Sequence, residues 1–212
     1  MTKKSIAYLS NEVCNAKDKG WLSITKSMLL PFTTKVAILE THSNSQTVEI
    51  LEGVYNGTIT KVKHANSKAN THYFTTDSVP RSKAKILLRT KTKELVVNGK
   101  IKIHSLEFPE HIQKGLYKVL LPSNEKHNLP STYFNEMRGG SRFASTWFQF
   151  VPTTRPSIYE SQQFIHLGSY STGCITVKYT ASKHSGGDWQ HIYYELLQCR
   201  DGDGVLGELI IE

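Results

Sequence analysis

Short runs of alternating hydrophobic and polar residues recur along the chain, and this period is typical of half-buried β-strands. The alternation is most regular in Thr58–Lys63 and Lys100–Leu106. Apolar runs of strand length predict further strands at Lys35–Glu40, Thr47–Leu51, Ile86–Leu88, Glu94–Val97, Leu116–Leu121, Thr146–Val151, Gln163–Ile165, Cys174–Tyr179 and Val205–Ile211. Asn56-Gly57 and Asn98-Gly99 predict tight hairpin turns, whose two central residues need positive φ. The pattern therefore predicts a mainly β fold.

One segment near the C-terminus has the period of a helix instead. Asp188 can cap it, and the apolar positions that follow have the i, i+3, i+4, i+7, i+8 spacing of one helix face. These positions are Trp189, Ile192, Tyr193, Leu196 and Leu197. The helix is expected to stop near residues 200–204, where two glycines and two aspartates cluster.

The polar segment 75–85 contains one proline and has no periodicity, so it is the best candidate for a linker. We expect a small all-β module at residues 1–80, followed by a main domain at residues 81–212. The module resembles a bacterial SH3-like barrel; an N-terminal β extension packed on the main domain is the alternative.

Composition narrows the class of protein. The 212 residues carry a net charge of +8, which suggests an anionic partner such as nucleic acid, a membrane surface or an acidic wall polymer. A solvated, soluble surface is an equally good reading of this charge. Lysine and arginine are spread along the chain without a nucleic-acid-binding motif, so we expect no nucleic-acid partner. No apolar run approaches the ~18 residues of a membrane span, and the N-terminus does not read as a signal peptide.

The cysteine count also excludes some chemistry. Cys14, Cys174 and Cys199 are three in number and irregularly spaced, which fits neither a disulfide framework nor a four-cysteine metal site. Thiols that stay reduced fit folding in a reducing compartment. We expect no metal and no cofactor.

The residues from His166 to Cys174 form the candidate catalytic segment. A predicted strand ends at His166, seven turn-prone residues follow, and Cys174 begins the next strand. Backbone N–H groups that converge at such a turn can lower a thiol pKa and bind an oxyanion, and a nearby histidine can take the thiol proton. Gly173 leaves room for a substrate carbonyl beside the sulfur. A buried structural cysteine and a structural histidine are the alternatives.

The segment His166-Leu-Gly-Ser-Tyr-Ser-Thr-Gly-Cys174-Ile-Thr-Val resembles the signature of the L,D-transpeptidase catalytic domain family. Lys93–Lys100 resembles the opening hairpin of that family, and Gln113–Val119 resembles one of its strands. The resemblance covers roughly residues 85–212. It implies an L,D-transpeptidase-like β-sandwich or barrel with one helix near the C-terminus.

The resemblance implies a role for each motif residue. Cys174 would attack a carbonyl of a peptidoglycan stem peptide, His166 would act as its base, and Ser171 would orient the loop, although a plain turn serine is as good a reading. Backbone N–H groups near Thr172, Gly173 and Cys174 would hold the oxyanion. Water would then give carboxypeptidase activity, and an amine would give transpeptidation or amino-acid exchange.

Two departures distinguish this chain from the usual wall-crosslinking enzymes. The loop is shorter, and Thr172 and Thr176 replace a frequent histidine and the usual arginine or asparagine. A compact loop resembles antibacterial effectors (toxins) delivered by secretion systems such as type VI. That branch implies synthesis in the cytoplasm, action in the periplasm or cell wall, and a secretion apparatus and an immunity protein as partners.

Four side chains outside the motif core are candidates for contact with the substrate. Tyr170 lies in the catalytic loop, and Trp147 could line the groove, although core packing also explains a tryptophan in an apolar strand. Arg138 and Arg142 flank a Gly-Gly pair and could bind a stem-peptide carboxylate, because a guanidinium fits that geometry. A solvated loop charge is their alternative.

Two other functions stay open from the sequence. A papain-like wall peptidase would place the cysteine before its histidine, as Cys174 precedes His191, but such a cysteine starts a helix and here a strand sequence follows. A non-catalytic wall-binding protein on the same fold is the second, because Thr172 and Thr176 depart from the family pattern.

Overall fold

The computed structural model describes residues 4–10, 21–64, 72–77, 79–123, 146–154, 163–168, 173–178, 187–202 and 204–212. The chain divides into two compact units, Met1–Arg81 and Ser82–Glu212, called unit 1 and unit 2 below. None of the described helices is long and apolar enough to cross a bilayer.

Unit 1 is an antiparallel β structure. Its strands are β1 (Ser5–Leu9), β2 (Trp21–Ser23), β3 (Leu29–Pro31), β4 (Lys35–Thr41), β5 (Ser45–Ile50), β6 (Ile59–Lys63) and β7 (Phe74–Thr75). Five of them form one sheet in the order β6-β5-β4-β1-β7, and β2 pairs with β3. The core consists of aliphatic residues and Phe74 on one face of this sheet. The SH3-like resemblance stays a prediction.

The turn at Asn56-Gly57 differs from the predicted one. Asn56 has φ −51° and ψ 132°, and Gly57 has φ 81°, so only the second residue has positive φ. The Thr58 N–H donates to the Tyr55 carbonyl at 2.9 Å, which makes this a type II turn. A single 3₁₀ turn at Gly53–Tyr55 separates β5 from this turn, so the two strands are not joined by a two-residue hairpin.

Unit 2 contains the remaining strands and the helix. Its strands are β8 (Ala84–Arg89), β9 (Glu94–Val97), β10 (Ile101–Ile103), β11 (Leu106–Glu107), β12 (Gly115–Leu120), β13 (Phe148–Pro152), β14 (Phe164–Gly168), β15 (Ile175–Lys178) and β16 (Val205–Ile211). They form one sheet in the order β10-β9-β8-β16-β12-β13-β14-β15-β11. The pairs β8–β16 and β14–β15 are parallel. The predicted mainly β fold is confirmed.

The nine-stranded sheet is nearly closed like a barrel. Its two end strands are β10 and β11, and only His104 and Ser105 separate them along the chain. Two residues span less than about 10 Å even when extended, so the two edges of the sheet must lie close together. The sequence predicted one continuous strand over Lys100–Leu106. The chain instead forms β10 at one edge of the sheet and then β11 at the other edge.

Helix α1 (Gly187–Leu197) covers part of the sheet of unit 2. It begins one residue before the predicted cap, Asp188. All five apolar residues of the predicted helix face are fully buried. Trp189 and Tyr193 pack against Phe148 of β13, with ring centroids 5.7 and 6.3 Å apart. The helix therefore supplies the apolar core behind β13.

The predicted turn at Asn98-Gly99 joins β9 to β10. Both residues have positive φ, 52° and 68°, as a type I′ hairpin requires. The Asn98 side chain accepts from the Lys85 N–H at 2.8 Å and donates to the Glu195 carboxylate at 2.8 Å. One turn residue thus ties the hairpin to both β8 and α1.

At Gly207 the backbone of β16 lies close to that of β8. A Cβ at this position would lie 2.1 Å from the Ala84 carbonyl oxygen and 2.4 Å from the Ala84 nitrogen. These are backbone atoms of a paired strand, so they cannot move without opening the ladder.

We expect Gly207→Ala to lower the free energy of unfolding of unit 2 by at least ~2 kcal/mol, because overpacking forces the strands apart. Chemical denaturation followed by tryptophan fluorescence measures it. Gly173→Ala is the control, since no atom of the described residues lies within 4 Å of a Cβ there, and its change should stay within about 0.5 kcal/mol. Equal stability of Gly207→Ala and the wild type would contradict the close approach.

Candidate functional site

His166 lies in the middle of β14, although the sequence predicted that this strand ends there. The strand continues to Gly168 because Leu167 extends the ladder by pairing with Val177 and is almost fully buried. In this parallel pairing His166 lies beside Thr176 of β15. Only 3% of the His166 surface is exposed.

Cys174 immediately precedes β15. Cys174 lies in the bend that leads into this strand, two residues before Thr176. The register sets Thr176 beside His166 on the neighbouring strand. The predicted nucleophile therefore lies at the start of the strand that pairs with the strand of the predicted base.

Two hydrogen bonds hold the imidazole of His166. Its Nδ1 is 2.9 Å from the Leu167 carbonyl oxygen, and its Nε2 is 3.3 Å from the Thr176 Oγ1. A carbonyl can only accept, so Nδ1 must carry the proton. In the neutral ring Nε2 is then the acceptor, and the Thr176 hydroxyl donates to it. This tautomer leaves Nε2 as the basic nitrogen, and it faces the Thr176 hydroxyl.

Trp147 covers the imidazole of His166. The two rings stack with centroids 4.2 Å apart and planes 19° apart, and Trp147 also contacts the edge of Phe164. Burial lowers the pKa of His166, and the hydrogen bond to Leu167 offsets this shift only in part. The ring is therefore neutral at neutral pH, which is the protonation state that a general base needs.

Burial is graded across the site. Thr176 is fully buried and His166 nearly so, whereas Cys174 is partly exposed. Among the described residues, no atom lies within 4 Å of a Cβ placed at Gly173. A substrate can reach a partly exposed thiol, and burial keeps water from the imidazole.

Five other predicted site residues lie outside the described residues, so their roles stay predictions. These are Ser171, Thr172, Tyr170, Arg138 and Arg142. Trp147 is described, and it packs on the predicted base; a contact with substrate stays a prediction as well.

Sequence reasoning missed two contributors. The Leu167 carbonyl has no side-chain signal, because any residue can supply a backbone acceptor. Thr176 was noted only as a departure from the family pattern. The predicted strand began at Cys174, whereas β15 begins at Ile175, and the parallel register of β15 brings Thr176 beside the histidine.

The papain-like alternative receives no support from the geometry. A strand, β15, follows Cys174 where that alternative needs a helix. His191 lies on the exposed side of α1. Within the described ranges, no three histidine, cysteine or acidic side chains are grouped so that they could hold a metal ion.

Comparison with models of protein families, with curated proteins and with solved structures gave no match to this chain. The resemblance to the L,D-transpeptidase family therefore rests on the motif residues alone and stays a prediction.

We expect Trp147→Leu to raise the pKa of His166 toward its ordinary value of about 6.5, because water then reaches the ring. A pH titration of the His166 ring signals by NMR measures this shift. Trp147→Phe keeps an aromatic cover and should change the pKa less. A pKa that stays the same or falls in Trp147→Leu would show that the stack does not desolvate the base.

Proposed function

We propose that unit 2 is a cysteine-dependent acyl-transfer domain of the L,D-transpeptidase type, acting on the stem peptides of peptidoglycan. One observation supports the proposal: His166, whose basic nitrogen is Nε2, lies on the strand that pairs in parallel with the strand that Cys174 precedes. The substrate class is taken from the resemblance of the motif residues to that family.

The first half-reaction forms a thioester. His166 takes the proton of the Cys174 thiol, and the thiolate attacks the carbonyl carbon at an L,D centre of the stem peptide. Backbone N–H groups of Gly173 and Cys174, together with that of Thr172, stabilise the oxyanion. The C–N bond then breaks, the amine leaves with the proton from His166, and the acyl group stays on sulfur.

The second half-reaction releases the acyl group. His166 deprotonates the incoming nucleophile, which attacks the thioester, and the Cys174 sulfur leaves. Water yields a shortened peptide, and an amine yields a crosslink or an exchanged terminal residue. The partly exposed position of Cys174 leaves room for either nucleophile.

The biological setting that we propose is an antibacterial effector. The compact loop between His166 and Cys174 supports this, since that length resembles exported members of the family. The net charge of +8 adds an attraction to the acidic polymers of the wall. A secretion apparatus and an immunity protein are the partners that this setting requires.

The proposal is tested by incubating the purified full chain with muropeptides and identifying the products by mass spectrometry. The wild type should shorten, exchange or crosslink stem peptides. Cys174→Ala should lose the activity by roughly a thousandfold or more, since the nucleophile is gone.

Cys199→Ala is the matched control. Its thiol is buried against the Asn98 amide and the Glu195 carbonyl, so it should give wild-type products. Unchanged muropeptides with folded wild-type protein, or full activity in Cys174→Ala, would rule the proposal out.

A further inference from the structure

The basic nitrogen of His166 faces a hydroxyl. The hydrogen bonds of the ring lead to the Leu167 carbonyl on one side and to Thr176 on the other, with the Thr176 hydroxyl as donor to Nε2. For Nε2 to take a proton directly from Cys174, this hydrogen bond must first break. A hydroxyl that donates one hydrogen bond can accept others, so it can also receive a proton while it gives one away.

We propose that Thr176 is a positioning residue whose hydroxyl relays the thiol proton of Cys174 to Nε2 of His166. The inference rests on the proposed function for its choice of Cys174 as nucleophile. It adds a third side chain to the pair that the sequence motif contains.

Thr176 is connected to both groups. It lies directly beside His166 across the strand pair, with its hydroxyl oxygen 3.3 Å from Nε2. It follows Cys174 by two residues in the chain. The hydrogen bond to the imidazole is the step of the path that is already in place.

The relay moves two protons and leaves the hydroxyl unchanged. The O–H bond of Thr176 breaks as the N–H bond at Nε2 forms. The S–H bond of Cys174 breaks as a new O–H bond forms on the same oxygen. The products are a thiolate and an imidazolium, and the reverse movement returns a proton toward the leaving amine. No oxidant, reductant or metal enters the balance.

The burial of Thr176 explains why this chain departs from the family at that position. Thr176 is fully buried, and a buried arginine without a paired anion carries a large desolvation cost. Threonine fits a strand interior, because a β-branched side chain suits the pleated surface. It keeps one polar group there, which is bonded to the histidine. Thr176, the residue that departs from the family pattern, thus supplies a hydroxyl to the site.

The test follows the rate of Cys174 alkylation by iodoacetamide as a function of pH, with the modified peptide quantified by mass spectrometry. Thr176→Val keeps the shape of the side chain and removes the hydroxyl. We expect it to shift the midpoint of the pH profile upward by about one unit, which lowers the rate at neutral pH about tenfold. Thr176→Ser keeps the hydroxyl and should stay within about threefold of the wild type.

A profile of Thr176→Val that coincides with the wild type, or an alkylation rate that increases, would overturn the relay. Circular dichroism shows whether the variant is folded. If Thr176→Val does not fold, a measurement on the wild type alone can still refute the proposal. The ¹⁵N shifts of His166 should show a proton on Nδ1 and none on Nε2, and the opposite tautomer would refute the relay.

The relay and the proposed function fail separately. If the muropeptides stay unchanged but the pH profile of Thr176→Val is shifted, the substrate assignment is wrong and the relay still holds. If the muropeptides are turned over but the pH profile is unshifted, the relay is wrong and the substrate assignment still holds.

Discussion

The parallel register between β14 and β15 is the constraint on which the site depends. It sets His166 beside Thr176, two residues after Cys174. Because side chains alternate along a strand, a slip of one residue would move His166 to the face of Ile175 and Val177, which are fully buried. The apolar residues that alternate with the site, Ile165 and Leu167, are almost fully buried too. The hydrophobic core therefore fixes the register, and the register assembles the polar site.

The same burial tunes the chemistry. A histidine in water is partly protonated near pH 6.5, roughly its unperturbed pKa, whereas the pKa of His166 is lowered mainly by burial. The Leu167 carbonyl fixes the tautomer, and Trp147 shields one face of the ring. These features hold a neutral imidazole with a defined basic nitrogen. Their cost is a loss of stability in acid, since a ring buried in the neutral form must be charged as the pH falls below the pKa of the unfolded chain.

Local patterns in the sequence predicted the elements better than their pairing. The strand Val205–Ile211 has the predicted bounds, and the predicted face of α1 is buried, because periodicity within one element reports which side meets the core. The type of the turn at Asn56-Gly57 and the break between β10 and β11 were not predicted. Both depend on what the flanking strands pair with, and pairing is a property of distant parts of the chain.

The residues of the candidate site also differ in how far the sequence predicted them. His166 and Cys174 were predicted from spacing and resemblance, and Thr176 entered only as a departure from a pattern. Its role could not be derived until the parallel pairing of two strands placed it beside the histidine. The Leu167 carbonyl is a backbone group and carries no side-chain signature. The sequence does not give the register of the two strands, and the register determines which of these residues lie side by side.

The central claim is that Cys174 becomes acylated by a stem peptide. Intact-protein mass spectrometry after acid quenching of a reaction with a donor muropeptide tests this most directly. We expect a mass increase equal to the acyl part of the donor, located on the peptide that contains Cys174 and lost on incubation with an amine nucleophile. Turnover of the muropeptide with an adduct on another residue, or no adduct in protein that is folded and supplied with donor, would contradict the claim.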